Sequence, residues 1–305
     1  MNAPRPDVIP NPLDRDHRRR YRIAGSVAGI ALTAAAVVAV ARNPAVLDLV
    51  GGALRSPDPV ALAALAGAAV ATQALTAATL WLLMRRLGPV GAREMWALVA
   101  AGTLANYVPL QAGSVGRIAY HRAMHGIPVR ASLLALLAAM AAMAAAIVAV
   151  GAVALAAAHA GGPWWAACLV PPAFAAGAAV PRLRTASLVM ACRTAEVLAW
   201  SLHAWAAFRL AGWPVEPKTA VGASLAASAA NLVPFVGNGL GLREWSVALA
   251  APVVGGYEAD AGLAAELVAR GVDVAVTAAL GLVALAWILR SLRAAATVPR
   301  LDSRA

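Results

Sequence analysis

One stretch limits what this chain can become. Asn231 to Glu244 reads Asn-Leu-Val-Pro-Phe-Val-Gly-Asn-Gly-Leu-Gly-Leu-Arg-Glu and lies between two apolar runs. Pro234 removes a backbone donor and ends a helix. Gly237, Gly239 and Gly241 open backbone angles closed to other residues. Irregular backbone at membrane depth survives only where protein buries it or where it lines a wet cavity. The stretch therefore reads as a broken helix, the tip of a re-entrant hairpin.

That reading needs a membrane, and composition supplies it. The 305 residues are 62% hydrophobic and 13% charged, against about 25% charged in soluble domains. No polar segment is long enough for a soluble catalytic domain. The formal charge of +11 could suit nucleic acid, but the arginines cluster at the ends of apolar runs. There they orient helices and meet anionic lipid. Cys168 and Cys192 lie in apolar surroundings and imply neither a disulfide framework nor a metal site. No Gly-x-x-x-x-Gly-Lys phosphate loop is present, and no cofactor is expected.

The tip has a partner. Asn106-Tyr-Val-Pro109 with Gly116 matches Asn231-Leu-Val-Pro234 with Gly241, six residues separating Pro from Gly in each, and Arg117 and Arg243 follow. Interrupted apolar segments at corresponding places in two halves point to a transporter-type binding site.

Taken in order, residues 1–22 form a basic, proline-rich cytoplasmic tail. Ile23–Ala41 is a first span; Ala39-Val-Ala41 looks like a cleavage site, but the run is long for a signal peptide. Val60–Met84 is a second span. Ala131–Pro181 carries no charge and breaks at His159-Ala-Gly-Gly-Pro163, so it makes two. Ala186–Leu210 and Gly262–Leu289 complete about six full spans, and 291–305 is a basic tail. Hairpins occupy about 95–125 and 219–252. With the amino terminus inside, Arg85, Arg86, Arg93, Arg122, Arg130, Arg182, Arg184, Arg290 and Arg293 fall inside, and the acidic Tyr257–Asp260 loop falls outside. Arg42, Arg55 and Lys218 are exceptions. The first hairpin then enters from the cytoplasm and the second from outside, as inverted repeats require. The expectation is an all-α, multi-pass integral protein of the cytoplasmic membrane, both termini inside.

Ionisable groups inside spans default to functional hypotheses. Arg117, Arg243 and Glu244 adjoin the two breaks. Glu266, Arg270 and Asp273 share one face of the last span at i, i+4 and i+7, and Arg193 and Glu196 pair at i, i+3 on another. These five form an expected internal charge network. His121 and His125 have the spacing of a helical metal pair but no acidic third ligand, so they read as interfacial histidines.

Asn106-x-x-Pro109 with Gly113 and Arg117, and Pro234 through Gly239-x-Gly241-x-Arg243-Glu244, resemble the lysylphosphatidylglycerol synthase transmembrane (flippase-like domain) family over roughly residues 20–295. Ser114 stands where that family usually has an acidic residue. The soluble aminoacyl-transfer domain of its bifunctional members has no counterpart here. The resemblance implies re-entrant hairpins and movement of a lipid between leaflets. Arg117, Arg243, Glu244, Asn106, Asn231, Gly239 and Gly241 are the expected substrate-binding residues. The expected substrate is an anionic lipid or lipid-linked sugar. A membrane-embedded head-group enzyme built on His121, His125 and Glu94 is one alternative. An accessory protein for a glycosyltransferase is another, and a homodimer partner is also open.

Overall fold

The computed structural model describes residues 57–107, 112–233, 239 and 241–297, with isolated residues between 38 and 55; side chains are described as far as Ser291. The 1–22 tail, the span expected at Ile23–Ala41 apart from Val38 and Ala41, Pro109, Pro234 to Asn238 and the tail beyond Thr297 lie outside the described residues.

Among the described residues all regular structure is helical. Helix α1 (Pro59–Met84) starts where Pro59 fits a first turn and the Asp58 carboxylate accepts from the Val60 and Ala61 amides at 2.9 and 3.2 Å. Helices α2 (Ala92–Ala105) and α3 (Ala112–His125) follow. The Glu94 carboxylate accepts from the Gly91 amide at the start of α2, and Asn106 ends it. Helix α4 (Val129–His159) is an alanine- and leucine-rich run of 31 residues. Its return is a 3-10 turn (Trp164–Leu169), helix α5 (Val170–Ala176, opened by Pro171 and Pro172) and a 3-10 turn at Gly177–Ala179. The second span expected within Ala131–Pro181 is thus a short mixed segment, because paired prolines and small residues break the α-helical hydrogen bonding there. Helix α6 (Arg184–Leu210), α7 (Pro217–Ala230), α8 (Leu242–Gly255) and α9 (Ala259–Thr297) complete the order. Helix α9 extends into the expected 291–305 tail.

Helices α1, α4 and α9 are long and apolar enough to cross a membrane, which marks a membrane-embedded protein. Helix α6 is as long but carries Arg184, Arg193, Glu196 and Arg209.

Both expected interruptions are antiparallel pairs of 14-residue helices, about 21 Å each at 1.5 Å per residue. That is short of the ~30 Å hydrocarbon core. In the first pair, Glu94 near the start of α2 meets His125 at the end of α3, 2.9 Å apart. Near the turn, the α2 and α3 backbones touch at Gly102 and Gly113. In the second pair, Gly222 near the start of α7 faces Val254 near the end of α8.

The chain repeats itself. α1 to α4 have 26, 14, 14 and 31 residues, and α6 to α9 have 27, 14, 14 and 39. The starts of α1 and α2 precede those of α6 and α7 by 125 positions (59 to 184, 92 to 217). The starts of α3 and α4 precede those of α8 and α9 by 130 (112 to 242, 129 to 259). Corresponding contacts recur: Gly151 on α4 packs on Leu225 of α7, and Gly281 on α9 packs on Ala100 and Leu104 of α2. Counterparts α1 and α6 run antiparallel, since Asp58 before α1 pairs with Arg209 at the end of α6 at 2.6 Å, while Thr76 meets Glu196 further along both. The first pair opens at the end of α1 marked by Met84, where Gly88 faces Ile127. The second opens at the opposite end, beside Arg209.

The five extra positions fall in the second turn and correct one sequence match. Gly116, paired by spacing with Gly241, sits inside α3 facing open space, whereas Gly241 caps α8 at φ 76°. Gly113, in α3, and Gly239, ahead of α8, are instead the glycines that the two asparagines approach. The Gly113 amide donates to Asn106 Oδ1 at 3.1 Å, and a Cβ on Gly239 (φ 64°) would lie 2.5 Å from Asn231 Oδ1. Each asparagine ends one helix and reaches the glycine of the returning arm.

A Cβ at Gly113 would land on the Gly102 carbonyl, while one at Gly116 meets nothing. Gly113→Ala is expected to cost about 1–3 kcal/mol as an overpacking change and to lower the melting temperature in detergent. Gly116→Ala should leave it unchanged. Equal melting temperatures for the two variants would contradict the close packing of α2 on α3.

Candidate functional site

Two apolar clusters fill the ends of the bundle. One gathers Leu65, Phe208, Val247 and Ala265; the other gathers Leu80, Met84, Met95 and Ile127. Between them, midway along α1, Thr72, Gln73 and Thr76 face a cavity of about 540 Å³. Both interrupted pairs reach it. Asn106, Tyr107, Ser114 and Arg117 come from the first, and Asn231, Gly239 and Arg243 from the second. Helices α6 and α9 add Arg193, Glu196, Trp200, Arg270, Asp273 and Thr277.

The cavity has two kinds of wall. One is polar and cationic. The other is made by Val115 and Ile118 of α3 and Leu133, Leu136, Leu137 and Met140 of α4. Val115 and Leu137 are 51% and 58% exposed, so the apolar side runs out to the protein surface between α3 and α4.

Behind the cationic wall, α8 is pinned to α9. Arg243 Nε donates to Glu266 at 2.6 Å and its Nη2 to Asp273 at 2.9 Å. Arg270 donates to Glu244 Oε1 from Nε at 2.8 Å and from Nη2 at 2.6 Å. Arg243, Glu244 and Glu266 are 2, 0 and 2% exposed. The first turn of α8 places Arg243 and Glu244 on adjacent rows, and the i, i+4, i+7 spacing of Glu266, Arg270 and Asp273 gives α9 the matching rows. The face-sharing charges of α9 therefore find their partners on α8. Arg243 also lies over the Trp200 ring, 5.1 Å from its centroid, a desolvated cation–π contact. On α6, Arg193 meets Glu196 at 2.5 Å, and Thr76 donates to Glu196 at 2.8 Å.

The expected site residues thus divide. Arg117, Arg193, Glu196, Arg243, Arg270, Asp273, Asn106, Asn231 and Gly239 line the cavity. Glu244 and Glu266 stand behind it as buried counter-ions, and Gly241 shapes the entry to α8. Arg117 differs from the other arginines. Its only side-chain hydrogen bond among the described residues is a long one, 3.4 Å to Ser114, and its Nε is buried without an acceptor.

Sequence reasoning passed over His203. It is fully buried on α6 and meets Asp273 Oδ1 at 2.9 Å, so Asp273 joins His203 to Arg243. The rule that singled out the other intramembrane charges would have found it. Trp200, Gln73 and Thr277 were also passed over, because neutral polar residues on long helices give no periodic signal. Gln73 Nε2 donates to Thr277 at 3.3 Å, leaving Gln73 Oε1 without a partner. His125 and Glu94 pair at the open end of α2 and α3, with His121 buried next to them. Among the described residues no three His, Cys, Asp or Glu side chains come together as a metal site.

No family model, curated protein or solved structure matches this chain.

Removing one member of a buried ion pair leaves a charge with no partner and costs about 3–5 kcal/mol. Arg243→Gln strands Glu266 and leaves Asp273 with His203 alone, and should sharply lower the thermal stability of the purified protein. Adding Glu266→Gln should recover part of the loss. Stability unchanged in Arg243→Gln would show that α8 and α9 are held by apolar packing alone.

Proposed function

We propose that this protein moves an anionic amphiphile, a lipid or lipid-linked sugar, between the leaflets of a cytoplasmic membrane. The observation that carries the reading is the two-walled cavity: a buried, arginine-rich side continuous with an apolar side open between α3 and α4. A charged head group fits the first, and acyl chains can stay in lipid along the second. Water-soluble substrates need no such apolar doorway. The resemblance of the two broken segments to flippase-like domain proteins agrees with this reading.

In the proposed arrangement α1–α4 and α6–α9 are inverted-topology repeats, and α2–α3 and α7–α8 are re-entrant hairpins entering from opposite faces. With the expected first span at 23–41 the count of crossings is about six. Charge supports the orientation. Exposed Arg85, Arg86, Arg93, Arg122, Arg130, Arg182, Arg184 and Arg290 gather at the end where the first hairpin opens, the proposed cytoplasmic side. Asp58, Glu216, Glu258 and Asp260 gather at the other. Broken helices would let each arm stop at mid-depth, where Asn106 and Asn231 line the same cavity. Movement would proceed by rocking one repeat against the other, exposing the cavity to each leaflet in turn.

Two measurements test this. Single cysteines in a chain lacking Cys168 and Cys192 should be labelled by an impermeant reagent from outside at 159–163 and 256–260. Cysteines at 86–92 and 182–184 should stay protected until the membrane is opened. Reversed labelling at 256–260 would sink the second re-entrant hairpin. In proteoliposomes, fluorescent phosphatidylglycerol loaded in the inner leaflet should become accessible to external dithionite faster than in protein-free vesicles. Identical rates with and without protein, for anionic and neutral lipids alike, would refute translocation.

A further inference from the structure

The charge pairing around the cavity is uneven. Arg243 is held by Glu266 and Asp273, and Arg270 is held by Glu244. Arg193 shares Glu196 with Thr76, and its Nε is buried with no acceptor. Arg117 has no carboxylate among the described residues, and its Nε too is buried with no acceptor. Both line the cavity, and the two guanidinium groups lie within electrostatic reach of each other. Buried donors without acceptors are uncommon in folded proteins and call for an explanation. The Nε atoms themselves are enclosed, but both cations line one cavity and Arg117 brings no carboxylate with it, which describes the empty half of an anion clamp.

The rest of the wall limits what else the ligand carries. Glu196 and Asp273, the carboxylates that line the cavity, are each held by an arginine and a second donor. An ammonium group entering here would meet arginines and find no uncommitted anion. The remaining polar lining is neutral, Thr72, Gln73, Thr103, Asn106 and Asn231. Carboxamides and hydroxyls of this kind suit the hydroxyls of a polyol.

We infer that Arg117 and Arg193 form the anion subsite of this cavity, where they hold the phosphodiester of a lipid whose remaining head group is an uncharged polyol. This rests on the translocation reading for the lipid's purpose, but the subsite itself is defined by binding. Arg243, saturated by Glu266 and Asp273, orients the wall and leaves the phosphate to Arg117. Each guanidinium offers N–H groups in a planar fork suited to phosphate oxygens. Ser114 leaves Arg117 unneutralised; a carboxylate at that position would occupy it.

The full chain, purified in detergent, is titrated with dioleoylphosphatidylglycerol or dioleoylphosphatidylethanolamine and bound lipid is counted by native mass spectrometry. Wild type should bind the glycerol lipid at least about tenfold more tightly than the ethanolamine lipid, the scale of one charge-assisted hydrogen bond. Arg117→Gln should lose about tenfold or more for phosphatidylglycerol, and Arg117→Lys less, since it keeps charge but not the fork. Ser114→Asp, which supplies a carboxylate within reach of Arg117 and deletes nothing from the packing, should match the loss in Arg117→Gln. Deacylated glycerophosphoglycerol should not displace the lipid at equal concentration.

Equal binding of the two lipids would overturn the polyol assignment. Unchanged phosphatidylglycerol binding in both Arg117→Gln and Ser114→Asp would overturn the subsite. Displacement by the deacylated head group at equal concentration would overturn the lipid assignment in favour of a soluble phosphodiester. The same variants in the dithionite assay separate the two readings. Tight, Arg117-dependent binding without wild-type translocation upholds the subsite and defeats the transport reading. Translocation that continues in Arg117→Gln with unchanged binding does the reverse.

Discussion

Two guanidinium–carboxylate crossings between α8 and α9 fix the height at which the second broken helix stops. A 14-residue arm has little area with which to hold itself in place. Arg243 on Glu266 and Asp273, and Arg270 on Glu244, tie the first turn of α8 to the middle of α9. In a medium that solvates none of these charges the pairs separate only at large cost. The cavity wall, the Trp200 ring under Arg243 and the approach of Asn231 to Gly239 all follow from where that turn is held.

The two halves share one backbone plan and differ in chemistry. The first pair is joined by backbone contact, Gly102 against Gly113, with Ser114 at the start of α3. The second carries Arg243 and Glu244 at the start of α8, locked to a charged α9. The counterpart of α9 is α4, which is apolar along that face and exposes Leu133 and Leu137. The repeat thus builds one cavity with a rigid, ionic side and a loose, apolar side. An amphiphile needs both, and in the proposed cycle the apolar side is where a chain can slide without leaving lipid.

Much of the architecture was legible from residue order. Asn106 and Asn231, the prolines after them and the glycines that follow marked both breaks, and the arms fell within a few residues of the expected ends. The form of the segment after α4 was not legible, because length and lack of charge suggest one uninterrupted helix, while Pro171, Pro172 and the 3-10 turns decide its form locally. Matching Gly116 to Gly241 failed because spacing counted from the proline does not see the five-residue difference between the two turns. His203 falls under the rule that singles out ionisable groups within spans, but its role depends on Asp273, seventy positions away.

The sequence by itself determined the solvent and the element type. Long uncharged runs are stable only in a membrane, and a proline and glycines within such a run force an interrupted helix, because the hydrogen-bonding demand of the backbone is local. It also determined which residues would be charged at depth. Tertiary structure decided their partners and therefore their roles. Spacing puts Glu266, Arg270 and Asp273 on one face, but only the packing of α8 against α9 makes them counter-ions of Arg243 and Glu244. The same packing saturates Arg243, while Arg117, on a hairpin whose neighbour α4 offers no carboxylate, lines the cavity without one. Pairing of charges is a property of distance between helices, and distance between helices is not written in either helix alone.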